Sequence, residues 1–120
     1  MQTLLSVMAG GALGAGLRYG VSLAVPAKAG WPWGTFMINI VGGFAMGVLA
    51  AGLMKGSVSE SARLFLGAGL LGGFTTFSAF SLEGFGMIEQ GEWGMAIGYA
   101  AASVIGSIAA LAAGYGMMRV

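Results

Sequence analysis

The side chains with chemistry to offer in this sequence are hydroxyls and one amide, all set inside apolar runs. Thr75, Thr76, Ser78 and Ser81 gather in the segment Gly72-Gly73-Phe74-Thr75-Thr76-Phe77-Ser78-Ala79-Phe80-Ser81. Tyr99, Ser103 and Ser107 recur every four residues, which on an α-helix makes a polar stripe about 12 Å long. Asn39 is the only amide in its run. Such groups bind ions: hydroxyl and amide donors suit a small anion, and oxygen acceptors suit a hard cation. Bond-making chemistry has little support. The chain contains no Cys and no His, which removes thiolate nucleophiles, zinc–thiolate sites and imidazole acid–base work. No serine has a histidine base, and no carboxylate pair falls at short helical spacing within an apolar run, so an enzyme is not expected.

The segment around Gly72 is a poor helix, because adjacent glycines and adjacent β-branched threonines favour unwinding. In hydrocarbon, unwound backbone persists only where it is buried in protein or lines a cavity, and interrupted membrane helices commonly hold ions. A break exposes carbonyls on one side and amides on the other, and carbonyl oxygens suit Na⁺. Phe77 and Phe80 share a face if the helix resumes; they either pack in a core or turn their partly positive ring edges to an anion. Asn39 is either a helix–helix clamp or an amide touching a permeating ion. Arg18, several residues inside its run, either snorkels to the interface or sits in a water-filled vestibule that attracts anions. Glu83, just after the break, has three readings: an interface carboxylate, a hydrogen-bond partner of pathway residues, or a proton-coupling group. Glu89 and Glu92 read as solvated loop charges.

These residues need a membrane to position them. Of 120 residues, 58% are hydrophobic and 8% charged, with mean hydropathy +0.90, whereas soluble domains carry about 25% charge. The pattern predicts an all-α integral membrane protein with four transmembrane helices, the third broken, as one membrane domain over 1–120. The spans fall at about 4–25, 34–54, 62–88 and 94–118, each near the length a bilayer needs. A net charge of +1 implies no nucleic-acid partner. No cleavable signal or lipidation motif is expected. Trp31 and Trp33 read as interface anchors, and Ser59 as the cap of the third helix.

Twenty-four glycines inside apolar runs point to close helix packing. Gly10 with Gly14, Gly16 with Gly20, and Gly43 with Gly47 are small pairs. Gly94, Gly98, Ala102, Gly106, Ala110 and Gly114 form a small ridge on the fourth span. Thin helices of this kind enclose little volume, so a dimer or larger assembly is expected, with any pathway near the subunit contact. Lys55, Arg63 and Arg119 lie on one side, Lys28 on the other with Arg18 near it. This weak bias fits insertion one way or in both orientations, the latter permitting an antiparallel homodimer.

With these residues in view, the chain resembles the Fluc/CrcB family of bacterial fluoride channels along nearly its whole length. The likeness is carried by Gly10-Gly11-Ala12-Leu13-Gly14-Ala15 with Arg18-Tyr19, by Gly34-Thr35-Phe36 with Asn39 and Gly42, and by Gly72 through Phe80. The resemblance implies an antiparallel, dual-topology homodimer in the bacterial inner membrane that exports F⁻ passively through two pores, each lined by both subunits. It implies Phe77 and Phe80 as paired ring-edge phenylalanines, Asn39 as the pore amide, and Tyr99, Ser103 and Ser107 as a hydroxyl track. Gly72 and Thr75 would give main-chain carbonyls to a central structural Na⁺. Arg18 would be the vestibule arginine, Thr35 would lie near the pore, and Glu83 takes a position where the family often has a carboxylate. Ala79 stands where many members have Thr or Ser, one hydroxyl fewer beside the phenylalanines. Two alternatives remain: a small multidrug-type four-span transporter, although the first span lacks the deep carboxylate those use, and a non-transporting membrane assembly subunit held by the small ridge.

Overall fold

The computed structural model describes residues 2–119, and its architecture follows from where glycine permits backbones to touch. Helix α1 runs Gln2–Ala24 and α2 runs Trp33–Met54. A rod over 60–74 (α3) combines an α-helical turn Glu60–Arg63, a π-helical stretch Leu64–Leu71 and a last turn Gly72–Phe74. After an extended step at Thr75 and Thr76 the helix resumes as α4, Phe77–Glu89, and α5 runs Trp93–Arg119. Among the described residues, four helical passes are long and apolar enough to cross a membrane, with α3 and α4 forming one interrupted pass over Glu60–Glu89. Leu5, Leu17, Leu23, Leu82, Phe85, Ile97 and Ile105 are exposed, as side chains facing hydrocarbon can be. The chain is therefore a multi-pass membrane protein.

Packing is non-sequential: α1 lies along α3, and α2 lies along α5. Both contacts are main chain against main chain. A methyl on Gly10 would strike Phe65 O and Leu70 N, one on Gly14 would strike Leu70 O and Phe74 N, and one on Gly73 would strike Gly11 O. On the other pair, Gly43 faces Ser107 O, Gly47 faces Leu111 O and Gly114 faces Phe44 O. Small residues let helices approach this closely, and van der Waals contact then drives association in lipid. The small ridge of the fourth span divides. Gly106 and Gly114 pack on α2, while Gly94 and Gly98 meet nothing within 4 Å.

Three details depart from expectation. The two threonines unwind as expected (Thr75 φ −78°, ψ 157°; Thr76 φ −149°, ψ 117°), but Gly72 and Gly73 remain helical. Gly73 is needed there as a contact with Gly11, whereas consecutive β-branched residues accept extended backbone readily. The π-helical stretch has no counterpart in the apolar pattern; it holds Gly67 and Gly69, both buried. Trp31 is half-buried and turns inward, its ring centroid 5.2 Å from that of Tyr99 and 5.5 Å from that of Phe36. It sits on a tight hairpin in which Lys28 and Trp31 exchange main-chain hydrogen bonds of 3.0 Å, with Ala29 at φ 55° and Gly30 at φ 81°. At the start of α3, Ser59 Oγ accepts from the Ala62 amide at 3.1 Å, and exposed Arg63 pairs with Glu60.

Gly14→Ala is expected to destabilise the protein by about 1–3 kcal/mol, since the clashing atoms are backbone and cannot move aside. Gly116→Ala, with nothing within 4 Å, should change stability by less than about 1 kcal/mol. Unfolding in mixed micelles followed by circular dichroism measures both.

Candidate functional site

Two non-helical residues in the middle of an apolar pass leave amides and carbonyls that lipid cannot satisfy. Their partners define the site. Asn39, on α2, grips the Thr76 peptide from both ends: its Oδ1 accepts from Thr76 N–H at 3.0 Å and its Nδ2 donates to Thr76 O at 3.1 Å. Thr76 Oγ1 accepts from the Ala79 amide at 3.1 Å and so caps α4. On the other side, Thr75 closes α3 by donating both its N–H (3.0 Å) and its Oγ1 hydroxyl (2.9 Å) to Leu71 O. Arg18 Nε donates to Gly73 O at 3.1 Å. Gly42, one turn after Asn39, has no room for a methyl because Thr75 Cγ2 lies against it.

Beside the break lies a cavity of about 400 Å³. Asn39, Gly72, Thr75, Phe77, Phe80, Ser103 and Ser107 all line it. Phe77 and Phe80 stand side by side with centroids 5.4 Å apart and planes at 45°; Phe77 is 76% exposed and Phe80 half-buried. Ser103 is buried at 6% exposure, and among the described residues its Oγ has no hydrogen-bond partner. A buried hydroxyl without a partner costs about 1–3 kcal/mol, a cost that a bound ion or water removes.

Tyr99 lies fully buried between the cavity and a second polar cluster. Its ring centroid is 5.1 Å from that of Phe80, and its hydroxyl donates to Glu83 Oε1 at 2.9 Å. Thr35 Oγ1 donates to Glu83 Oε2 at 2.8 Å. One carboxylate thus gathers two hydroxyls from α2 and α5. Thr35 and Glu83 line a smaller cavity of about 130 Å³ together with Ser22, Pro26, Pro32 and Gly34. Of the candidate site residues singled out from the sequence, Arg18, Ser78, Ser81 and Tyr99 line neither cavity. Trp31, Phe36 and Gly42 were not singled out for the site, yet Trp31 supports the Tyr99 ring edge-on and Gly42 seats Thr75.

The carbonyls of the break fit a hard monovalent cation. The Thr76 N–H goes to Asn39, so it does not close on the Gly72 carbonyl as a continuing helix would. Gly72 and Thr75 both border the larger cavity. Neutral oxygens of this kind suit Na⁺.

An interrupted membrane helix, a row of hydroxyls, paired phenylalanines and a wet-sized cavity in a four-pass chain define an ion-handling membrane protein. Residues 5–115 match the family model described as CrcB-like protein, Camphor Resistance (CrcB), and the chain belongs to that family. Its relatives include proteins named "Fluoride-specific ion channel FluC". The one from Phenylobacterium zucineum (strain HLK1) is 53% identical over 123 residues, covering 99% of this chain and 97% of the relative. That from Caulobacter vibrioides (strain NA1000 / CB15N) is 53% identical over 118 residues, covering 95% and 93%. That from Chloroflexus aurantiacus (strain ATCC 29366 / DSM 635 / J-10-fl) is 43% identical over 122 residues, covering 99% and 97%.

Replacing Asn39 with Leu removes both partners of the Thr76 peptide. The expected loss is about 2–4 kcal/mol of stability, with faster amide exchange at Thr76 than at α2 or α5, read by hydrogen exchange of the protein in micelles or nanodiscs.

Proposed function

We propose that this chain is a fluoride-selective passive channel that exports F⁻ across the bacterial inner membrane as an antiparallel, dual-topology homodimer. The observation that carries the reading is the buried, unpartnered Ser103 hydroxyl on the wall that Phe80, Phe77 and Asn39 also line. Relatives named for fluoride, matched over nearly their whole length, support the choice of ion.

Fluoride is small, hard and strongly hydrated, so a pathway must replace its water with donors while letting it leave. Among the described residues no cationic side chain lines the larger cavity, which keeps binding weak. Ser103 and Ser107 offer O–H donors one turn apart. Asn39 keeps one amide hydrogen beyond the one that holds Thr76. Phe77 and Phe80 supply ring edges. Beyond Phe80, Tyr99 and Thr35 hold their hydroxyls toward Glu83, and an anion arriving there would compete with the carboxylate for the same protons. That competition sets a release point, because the hydroxyls attract the anion while the neighbouring carboxylate repels it.

Gly72 and Thr75 would hold a Na⁺ through their main-chain carbonyls, with the second copy supplying the matching pair. Bound there, it would supply positive charge that lowers the cost of an anion in a low-dielectric interior. Phe77, at 76% exposure, and the open glycines Gly94 and Gly98 leave surface for that second copy.

Liposomes loaded with F⁻ or Cl⁻ and given a counter-ion pathway test the reading. The protein should release F⁻ rapidly and Cl⁻ little; proton-coupled movement of organic cations, or no flux of either kind, overturns it. Phe80→Ala should lower F⁻ efflux about tenfold, the order expected from losing an aromatic contact of roughly 1.5 kcal/mol, while the assembly stays intact by size-exclusion chromatography. A terminal tag should be reachable by an impermeant reagent from both faces of the membrane; access from one face alone removes dual topology.

A further inference from the structure

Arg18 is the only charged side chain of α1, and among the described residues it makes no ion pair. Its position is set by the glycine seam. Gly10 and Gly14 dock on α3 at Phe65, Leu70 and Phe74, and Gly11 touches Gly73. Arg18 follows Gly14 by one helical turn on the same face, which brings it to the end of α3. There Nε donates to Gly73 O at 3.1 Å across 55 residues of sequence.

A helix leaves its last four carbonyls without partners, at the negative end of its dipole. In α3 those are Gly72, Gly73, Phe74 and Thr75, because the Thr75 N–H makes the last helical bond, to Leu71 O. Leu71 is taken by Thr75 and Gly73 by Arg18. Gly72 and Thr75 line the cavity, while Gly73 and Arg18 do not and lie on the side that meets α1. The two caps therefore divide the carbonyls of the break into a held set and an open set.

We infer that Arg18 is a positioning residue: by capping α3 at Gly73 it ties the broken end to α1 and leaves the Gly72 and Thr75 carbonyls turned toward the cavity. Its charge opposes the helix dipole at that end, but the hydrogen bond fixes the backbone. This deepens the channel reading, on which its consequence for flux rests. It differs from a vestibule role, in which the guanidinium acts by long-range attraction and any hydrogen bond is incidental.

Three variants separate the two. Arg18→Lys keeps charge and a donor, Arg18→Gln keeps a donor without charge, and Arg18→Met keeps length with neither. Each is compared with the parent for F⁻ efflux from liposomes and for hydrogen exchange of the peptide spanning 72–77. Capping predicts that R18K and R18Q stay within about threefold of the parent in flux and keep its protection. It predicts that R18M loses about tenfold in flux, the order of one hydrogen bond from a charged group, and loses protection at 72–77 while α2 and α5 keep theirs. R18Q falling as far as R18M, or R18M with unchanged protection at 72–77, overturns the cap. If R18M does not assemble, the R18Q comparison decides alone: parent-like protection and flux uphold the cap, and loss of either overturns it. A parent protein without F⁻ flux overturns the channel reading instead, and exchange at 72–77 in the three variants still decides the cap.

Discussion

Unpaired backbone cannot remain in hydrocarbon, and this chain carries such backbone at Thr75 and Thr76. Everything around the site answers that constraint. The Asn39 side chain supplies one acceptor and one donor to the Thr76 peptide, doing for two backbone groups what a continuing helix would have done. Each threonine then satisfies its own side of the break, Thr75 toward Leu71 and Thr76 toward Ala79. The break is consequently a defined structure with few free groups, and Gly72 and Thr75 border the cavity.

The same economy governs the hydroxyls. Tyr99 and Ser103 sit one turn apart on α5 and are both buried, yet they differ in kind. Tyr99 is committed to Glu83, together with Thr35, each hydroxyl donating to one oxygen of the carboxyl group. Ser103 is uncommitted. A polar stripe that looks uniform along the helix is thus divided by a carboxylate contributed from α4. The aromatic cluster Trp31–Tyr99–Phe80 supports that division, because a fully buried ring packed against two others has little room to swing its hydroxyl away.

Much of this was legible in the residues. The four passes, the small pairs Gly10/Gly14 and Gly43/Gly47, the hydroxyl periodicity and the interruption all follow from local composition and helical spacing. Partners across the fold were not. Arg18 and Asn39 bind main-chain groups 55 and 37 residues away, and a peptide carbonyl has no residue type by which to announce itself. The glycines marked the neighbourhood of the break, but tertiary contact with Gly11 kept Gly73 helical and confined the unwinding to the threonines. The π-helical stretch and the inward turn of Trp31 have the same origin: both are decided by what packs against them, and an apolar run reads alike whether it is wound by 3.6 or by more residues per turn.

Because α1 seats on α3 and α2 on α5, neither neighbour in sequence is the principal neighbour in space. A ribosome delivering this chain releases α1 and α2 first, two rods whose glycine grooves match nothing yet made. Each must wait in lipid until the strand of synthesis reaches its true mate. The order of assembly is therefore imposed by connectivity: α1 settles once the third pass arrives, α2 only when the fourth is complete, and the Asn39 grip on Thr76, with the Thr35 and Tyr99 bonds to Glu83, stitches the two finished pairs together.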